Sequence, residues 1–206
     1  MPVSRRVLFL PGASGAGVFW RPVAERLPRD WETVLLDWPG LGDVPHAPGV
    51  RSFADLVDLA LASIQDSPVD LVAQSMGGLV ALQVALARPE LVRRLVLVAT
   101  SGGIDLAPFD VEDWRPAYRA EYPNAASFVT NEPSPDLSGQ LPTIHVPTLL
   151  LWARADPISP PDVGRHLTSA LTRAQPRLVV LDYADHSFAR DHADNVATLI
   201  QAHLAG

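Results

Sequence analysis

Val69-Asp70-Leu71-Val72-Ala73-Gln74-Ser75-Met76-Gly77-Gly78 is the stretch on which the reading of this chain turns. The run 69–73 is short, aliphatic and β-branched, as a strand buried on both faces requires. Residues 76–88 then repeat apolar side chains at helical spacing with no linker between. Ser75 therefore falls in a sharp strand-to-helix turn, where the backbone is crowded and the neighbours must be small. Gly77 meets that demand and Ala73 nearly does, so the pattern small-x-Ser-x-Gly is one methyl group away from G-x-S-x-G. Such a turn exposes a serine hydroxyl as a candidate nucleophile. The same residues could also be an ordinary turn with Ser75 as a helix N-cap.

Working outward, short apolar runs at 7–10, 33–37, 69–73, 95–99, 148–152 and 178–181 alternate with helical periodicity at 18–27, 52–65, 76–88, 160–172 and 188–204. That alternation predicts an α/β fold: six strands in a mostly or all-parallel sheet with helices on both faces. Ser52 suits an N-cap, and Pro160 and Pro161 suit a first turn. Over 101–147 the alternation lapses into a Pro-rich, aromatic stretch. A structureless loop of that length is out of place in a compact domain. The expectation is one domain over 1–206 carrying a small helical cap insertion at 101–147, with helices near 111–121 and 137–141.

Composition removes whole classes of chemistry. All 16 basic residues are Arg, and Lys and Cys are absent, which excludes Schiff bases, a P-loop lysine, thiolate nucleophiles, disulfides and Cys-based metal sites. A net charge of -7 argues against nucleic acid as a partner. The apolar run after Arg5 and Arg6 ends at Pro11-Gly12, too short for a signal-peptide core, and no stretch reaches membrane-span length. A soluble, cytoplasmic protein with no membrane partner is expected.

Acyl transfer by serine needs a base, an acid to orient it, and donors for the oxyanion. Leu10-Pro11-Gly12-Ala13-Ser14-Gly15-Ala16-Gly17 follows the first strand, and in this reading the N–H groups of Ala13 and Met76 form the oxyanion hole. A dinucleotide fingerprint is the rival for this loop, but Trp20 stands at its third glycine position. Asp156, just beyond the fifth strand, is the candidate acid, with Asp105 the alternative. His186, in the loop after the last strand, completes the chain order Ser, Asp, His. His46, His145, His166, His192 and His203 read as surface or insertion residues, and no metal-binding spacing occurs.

Taken together, the chain resembles the α/β-hydrolase family along nearly its whole length. The resemblance rests on Pro11-Gly12-Ala13-Ser14-Gly15, Asp37-Trp38-Pro39-Gly40-Leu41-Gly42, the Ser75 elbow, and Asp156 with His186. Pro11 stands where many members have His, Ala73 replaces the first elbow glycine, and Met1 lies only six residues ahead of the first strand. The resemblance thus implies a trimmed, all-parallel six-stranded sheet with a reduced cap. Carried onto this chain, it makes Ser75 the nucleophile, His186 the general base and then acid, and Asp156 its orienting partner, with no metal or organic cofactor. The expected substrate is a small-molecule ester or related acyl compound, fairly apolar, held among Trp20, Trp38, Trp114, Tyr118 and Phe128. Two alternatives stay open. One is a lyase or carbon-carbon hydrolase that meets an acidic substrate through Arg115, Arg119 or Arg154; the other is a non-catalytic ligand receptor on the same scaffold. The assembly is expected to be a monomer or homodimer.

Overall fold

The computed structural model describes residues 5–65, 67–183 and 185–206. Its strands are β1 (Arg6–Leu10), β2 (Glu32–Leu35), β3 (Val69–Gln74), β4 (Val92–Val98), β5 (Thr148–Ala153) and β6 (Arg177–Leu181). They form one sheet in the order β2-β1-β3-β4-β5-β6, every pair parallel. The six-stranded parallel sheet expected from the alternation is thus present, with β1 and β3 adjacent in its interior.

Side chains along each central strand divide by the two-residue period of a strand. Leu8, Leu10, Leu71, Ala73, Leu95, Leu97, Leu150 and Trp152 join one buried cluster. Val7, Phe9, Val72, Val96, Val98, Leu149 and Leu151 join the other. On the first face lie α2 (Phe53–Ile64), α3 (Met76–Ala87) and α6 (Pro161–Ala170). On the second lie α1 (Arg21–Ala24), α7 (Phe188–Asp191) and α8 (Ala193–Ala205). Because α3 sits behind the middle of the sheet, it is apolar on nearly every side, and nine of its residues are buried.

Helix ends follow local chemistry. Ser52 caps α2: its hydroxyl accepts from the Asp55 N–H at 3.3 Å and donates to the Asp55 carboxylate at 2.8 Å, a reciprocal cap of the kind that satisfies orphan donors. Elsewhere the elements are shorter than their periodicity predicts. The helix expected at 18–27 is a 3-10 turn (Gly17–Trp20) followed by α1, since Pro22 belongs to a first turn and Pro28 ends the segment. That expected at 188–204 breaks at His192, whose ring stacks on Tyr183 with centroids 3.6 Å apart.

The connection between β4 and β5 holds α4 (Arg115–Glu121), α5 (Phe128–Asn131) and a 3-10 turn (Leu141–Thr143). Expected at 111–121, the first helix starts only at Arg115, where Pro116 takes a first-turn position and the Asp113 carboxylate accepts the Arg115 N–H. At 137–141 a helix was expected, but the ordered turn lies at Leu141–Thr143, with Pro142 in it, and α5 was not foreseen. Among the described residues, no helix is long and apolar enough to cross a membrane.

Candidate active site

Ser75 joins β3 to α3 with φ 53° and ψ -123°, a backbone conformation that non-glycine residues rarely hold. The surroundings enforce it. The Ser75 N–H donates to Val98 O at 2.9 Å, and the Gly78 N–H returns to Ser75 O at 2.9 Å. A Cβ at Gly77 would lie 2.4 Å from Pro11 O, so only glycine lets β1 and α3 approach this closely. Gly12 also lies close to this turn, its hypothetical Cβ being 2.4 Å from Gln74 Oε1, the end of a flexible side chain, and 3.2 Å from Ser75 Cβ. The loop from 10 to 17 and the serine turn are therefore packed against each other.

Across the sheet edge, Asp156 is 2% exposed and its carboxylate is saturated. Oδ1 accepts from the Ile158 N–H at 2.9 Å and the Ser159 N–H at 3.0 Å, and Oδ2 accepts from His186 Nδ1 at 2.7 Å. A proton on Nδ1 leaves Nε2 with its lone pair. Nε2 is buried and has no hydrogen-bond partner among the described residues. Gln74, adjacent to Ser75, donates through Nε2 to His186 O at 3.3 Å and so ties the histidine loop to the serine turn. Neither that bond nor the two amides on Asp156 Oδ1 was foreseen; the turn-forming Asp156-Pro157 pair was the only hint of the latter. Asp105, the alternative acid, is exposed and caps the Ala107 N–H instead.

Ser75, Met76 and His186 line one cavity of about 430 Å³. Its apolar wall includes Phe53, Leu79, Ile104, Val111, Trp114 and Val129. Asp105, Glu112, Asp113, Asp136 and Arg115 also line it, and Arg115 is engaged with Asp113 at 3.2 Å while its guanidinium lies 5.3 Å over the Trp114 ring. As the first residue of α3, Met76 has an N–H with no acceptor inside the helix.

Of the five aromatic residues expected around a substrate, Trp114 lines this cavity. Trp20 and Trp38 are fully buried; their indole N–H groups donate to Leu10 O at 3.0 Å and Pro11 O at 2.8 Å. Phe128 packs edge-on to Phe53, and the Tyr118 hydroxyl donates to Ala13 O at 2.9 Å. None of these four lines the cavity, and Trp20 packs in the cluster on the other face of the sheet. Arg154 pairs with Asp182, and neither it nor Arg119 is part of the lining. Among the described residues, no three His, Asp or Glu side chains gather as a metal-holding group.

A parallel sheet with a strained serine after its third strand and an Asp-His pair beyond its fifth and sixth defines a class of α/β enzyme, and comparison with known proteins makes the class specific. Residues 5–144 match the family described as alpha/beta hydrolase fold, and residues 117–206 match one described as TAP-like protein. The chain belongs to the α/β-hydrolase family. It is 30% identical to the pimeloyl-[acyl-carrier protein] methyl ester esterase of Neisseria meningitidis serogroup B (strain H44/76), over 88% of this chain and 85% of that protein. It is 35% identical to a Rhizobium rhizogenes protein named for carbamate hydrolysis, RutD, over 47% of this chain, but the match spans only 38% of that protein. The crystal structure of a hydrolase from Pseudomonas aeruginosa PA01 superposes with a TM-score of 0.77 at 19% identity, covering 100% of this chain and 92% of that one. The relatives and the family model support a hydrolase.

Proposed function

We propose that this hydrolase is a serine esterase in which Ser75, His186 and Asp156 form the triad, and that it cleaves a small, uncharged carboxylic ester through an acyl-enzyme. The observation that carries the reading is the His186 ring. It is fixed through Nδ1 by a saturated carboxylate and keeps an unpartnered, buried Nε2 beside the cavity that Ser75 lines.

In this mechanism the Ser75 hydroxyl attacks the acyl carbon and passes its proton to His186 Nε2. Asp156 holds the ring and stabilises the imidazolium. The tetrahedral oxyanion is met by the N–H groups of Ala13 and Met76, each worth on the order of 3 kcal/mol in such sites. The intermediate collapses, His186 returns the proton to the departing alcohol, and water repeats the sequence to release the acid.

The cavity's charge supports the choice of substrate. Among the described residues, four carboxylates and one arginine line it, and the arginine is engaged with Asp113. A substrate carboxylate would meet repulsion rather than a free guanidinium, which favours a neutral ester over the acidic substrate of a lyase or carbon-carbon hydrolase. Methyl ester cleavage by the Neisseria relative and carbamate cleavage in the other relative's name fit the same attack on a carbonyl carbon.

The test is turnover of short p-nitrophenyl esters together with labelling by a fluorophosphonate. Wild-type protein should do both and Ser75→Ala neither. Labelling that survives Ser75→Ala would sink the nucleophile assignment, and absence of both from the wild type would favour a receptor.

A further inference from the structure

Four consecutive carbonyls, from the last residue of β1 into the loop that follows it, are each held by a donor. Leu10 O and Pro11 O receive the indole N–H groups of Trp20 and Trp38, and Gly12 O receives the Gly15 N–H at 3.1 Å. Ala13 O receives the Tyr118 hydroxyl at 2.9 Å. The first three donors come from the loop itself or from nearby chain packed into the core. The fourth reaches in from α4, 105 positions along the chain. Its hydroxyl oxygen also accepts the Gly42 N–H at 2.9 Å, so one phenol bridges the loops that follow β1 and β2.

We propose that Tyr118 is a positioning residue that aims the Ala13 N–H at the oxyanion from the β4–β5 connection. This rests on the serine-esterase reading above. The argument is one of peptide planes. Gly12 C=O and the Ala13 N–H share a plane, which Gly15 holds. Ala13 C=O lies in the next plane, which Tyr118 holds. With both planes fixed, the torsions at Ala13 Cα are fixed, and the N–H direction with them. Without the phenol the second plane loses the hydrogen bond on its carbonyl and keeps only the packing of Ser14 against Gly42, while the first is anchored by one bond from a glycine within the same loop.

The phenol suits this role. Tyr118 is 8% exposed, and burial, with the nearby Asp43 carboxylate, pushes its ionisation upward, so it keeps the proton it donates. Its ring also meets Trp114 edge-on, with centroids 5.4 Å apart, and Trp114 lines the cavity. A substrate seated on Trp114 thus presses on the residue that sets the oxyanion donor.

The experiment compares the full-length wild type with Tyr118→Phe, which keeps the ring and loses both hydrogen bonds. Turnover of p-nitrophenyl butyrate and binding of phenylboronic acid, which forms a tetrahedral anion on an active serine, are measured side by side. The expected result is a kcat lower by about 10–100-fold, boronate affinity weaker by a similar factor, and KM within about threefold. A kcat and boronate affinity within about twofold of wild type, or a change confined to KM, overturns the proposal. Wild-type protein that neither turns over the ester nor binds the boronate would instead overturn the esterase reading. Should the Phe variant not fold, 3-fluorotyrosine at position 118 keeps both bonds at neutrality but loses its proton at lower pH than tyrosine. The groups facing this phenol are Asp43 and Tyr122, with Gly42 and Ala13 backbone on the other side. Because a phenolate cannot donate to Ala13 O, kcat should fall at lower pH than in the wild type. An unshifted alkaline limb overturns the proposal.

Discussion

Asp70 and Asp156 are both buried aspartates of one sheet, 0% and 2% exposed, yet they stand at opposite edges and are satisfied in opposite ways. At the amino edge, Asp70 Oδ2 meets Arg5 at 2.7 Å and Arg93 at 3.3 Å, two full charges, while Oδ1 has no hydrogen-bond partner among the described residues. At the carboxyl edge, Asp156 has every oxygen engaged, but by two neutral amides and an imidazole. The unmet polar atom there is not on the carboxylate but on His186 Nε2. The first arrangement fastens the chain start to β3 and β4. The second leaves one buried nitrogen without a partner among the described residues, the lone pair that the proposed mechanism uses. Burial of a carboxylate therefore says little about function until its partners, and what those partners leave open, are counted.

Substitutions should separate the two edges. The largest effect is expected for His186→Ala, with kcat falling by about 10⁵-fold or more, while His192→Ala, which loses its stacking on Tyr183, stays within about threefold. Equal losses in steady-state turnover would mean that the base is misassigned. Next, Asp156→Asn should lower kcat by about 10³–10⁴-fold, because the amide no longer holds the required tautomer, while the unfolding midpoint moves little. Asp70→Asn should do the reverse. It leaves Arg5 and Arg93 without their counter-charge and is expected to cost about 2–4 kcal/mol in urea unfolding, with activity per folded molecule unchanged. An active-site defect in Asp70→Asn, or a stable and active Asp156→Asn, would erase the distinction.

The smallest effect concerns His203 in the last turn of α8. Burial, and secondarily the positive charge of Arg94, hold its ionisation below the ordinary value of 6.5. The folded state thus resists protonation more than the unfolded chain does. Its contribution is intact above the unfolded value and is lost as pH falls through and below it. Thermal unfolding should show a smaller stability loss between about pH 7.5 and 5.5 in His203→Leu than in the wild type. An unchanged pH slope would remove His203 from the account.

The strand positions were legible because buried parallel strands are continuous apolar runs, and the serine turn was legible because backbone crowding admits few residues beside it. The aromatic residues were not. A Trp or Tyr in sequence shows a large apolar surface and one polar atom, but not which carbonyl that atom will find. Trp20, Trp38 and Tyr118 were expected in a pocket, and their polar atoms instead hold Leu10, Pro11 and Ala13. Helix lengths were overread for a related reason. Periodicity through 188–204 is unbroken, yet His192 leaves the helix to stack on Tyr183, a tertiary contact with no local signature. In the β4–β5 connection, α5 is four residues long, too short for a period to register.

The central claim is that Ser75 carries the acyl group. Rapid acid quench of the protein after mixing with p-nitrophenyl acetate, followed by mass measurement of the intact chain and of the peptide containing Ser75, tests it directly. The account predicts one acetyl group per chain, located on Ser75 in the wild type and accumulating further in a His186 variant only if deacylation is slowed more than acylation. An acetyl group on any other residue, or ester turnover that persists in Ser75→Ala, would contradict it.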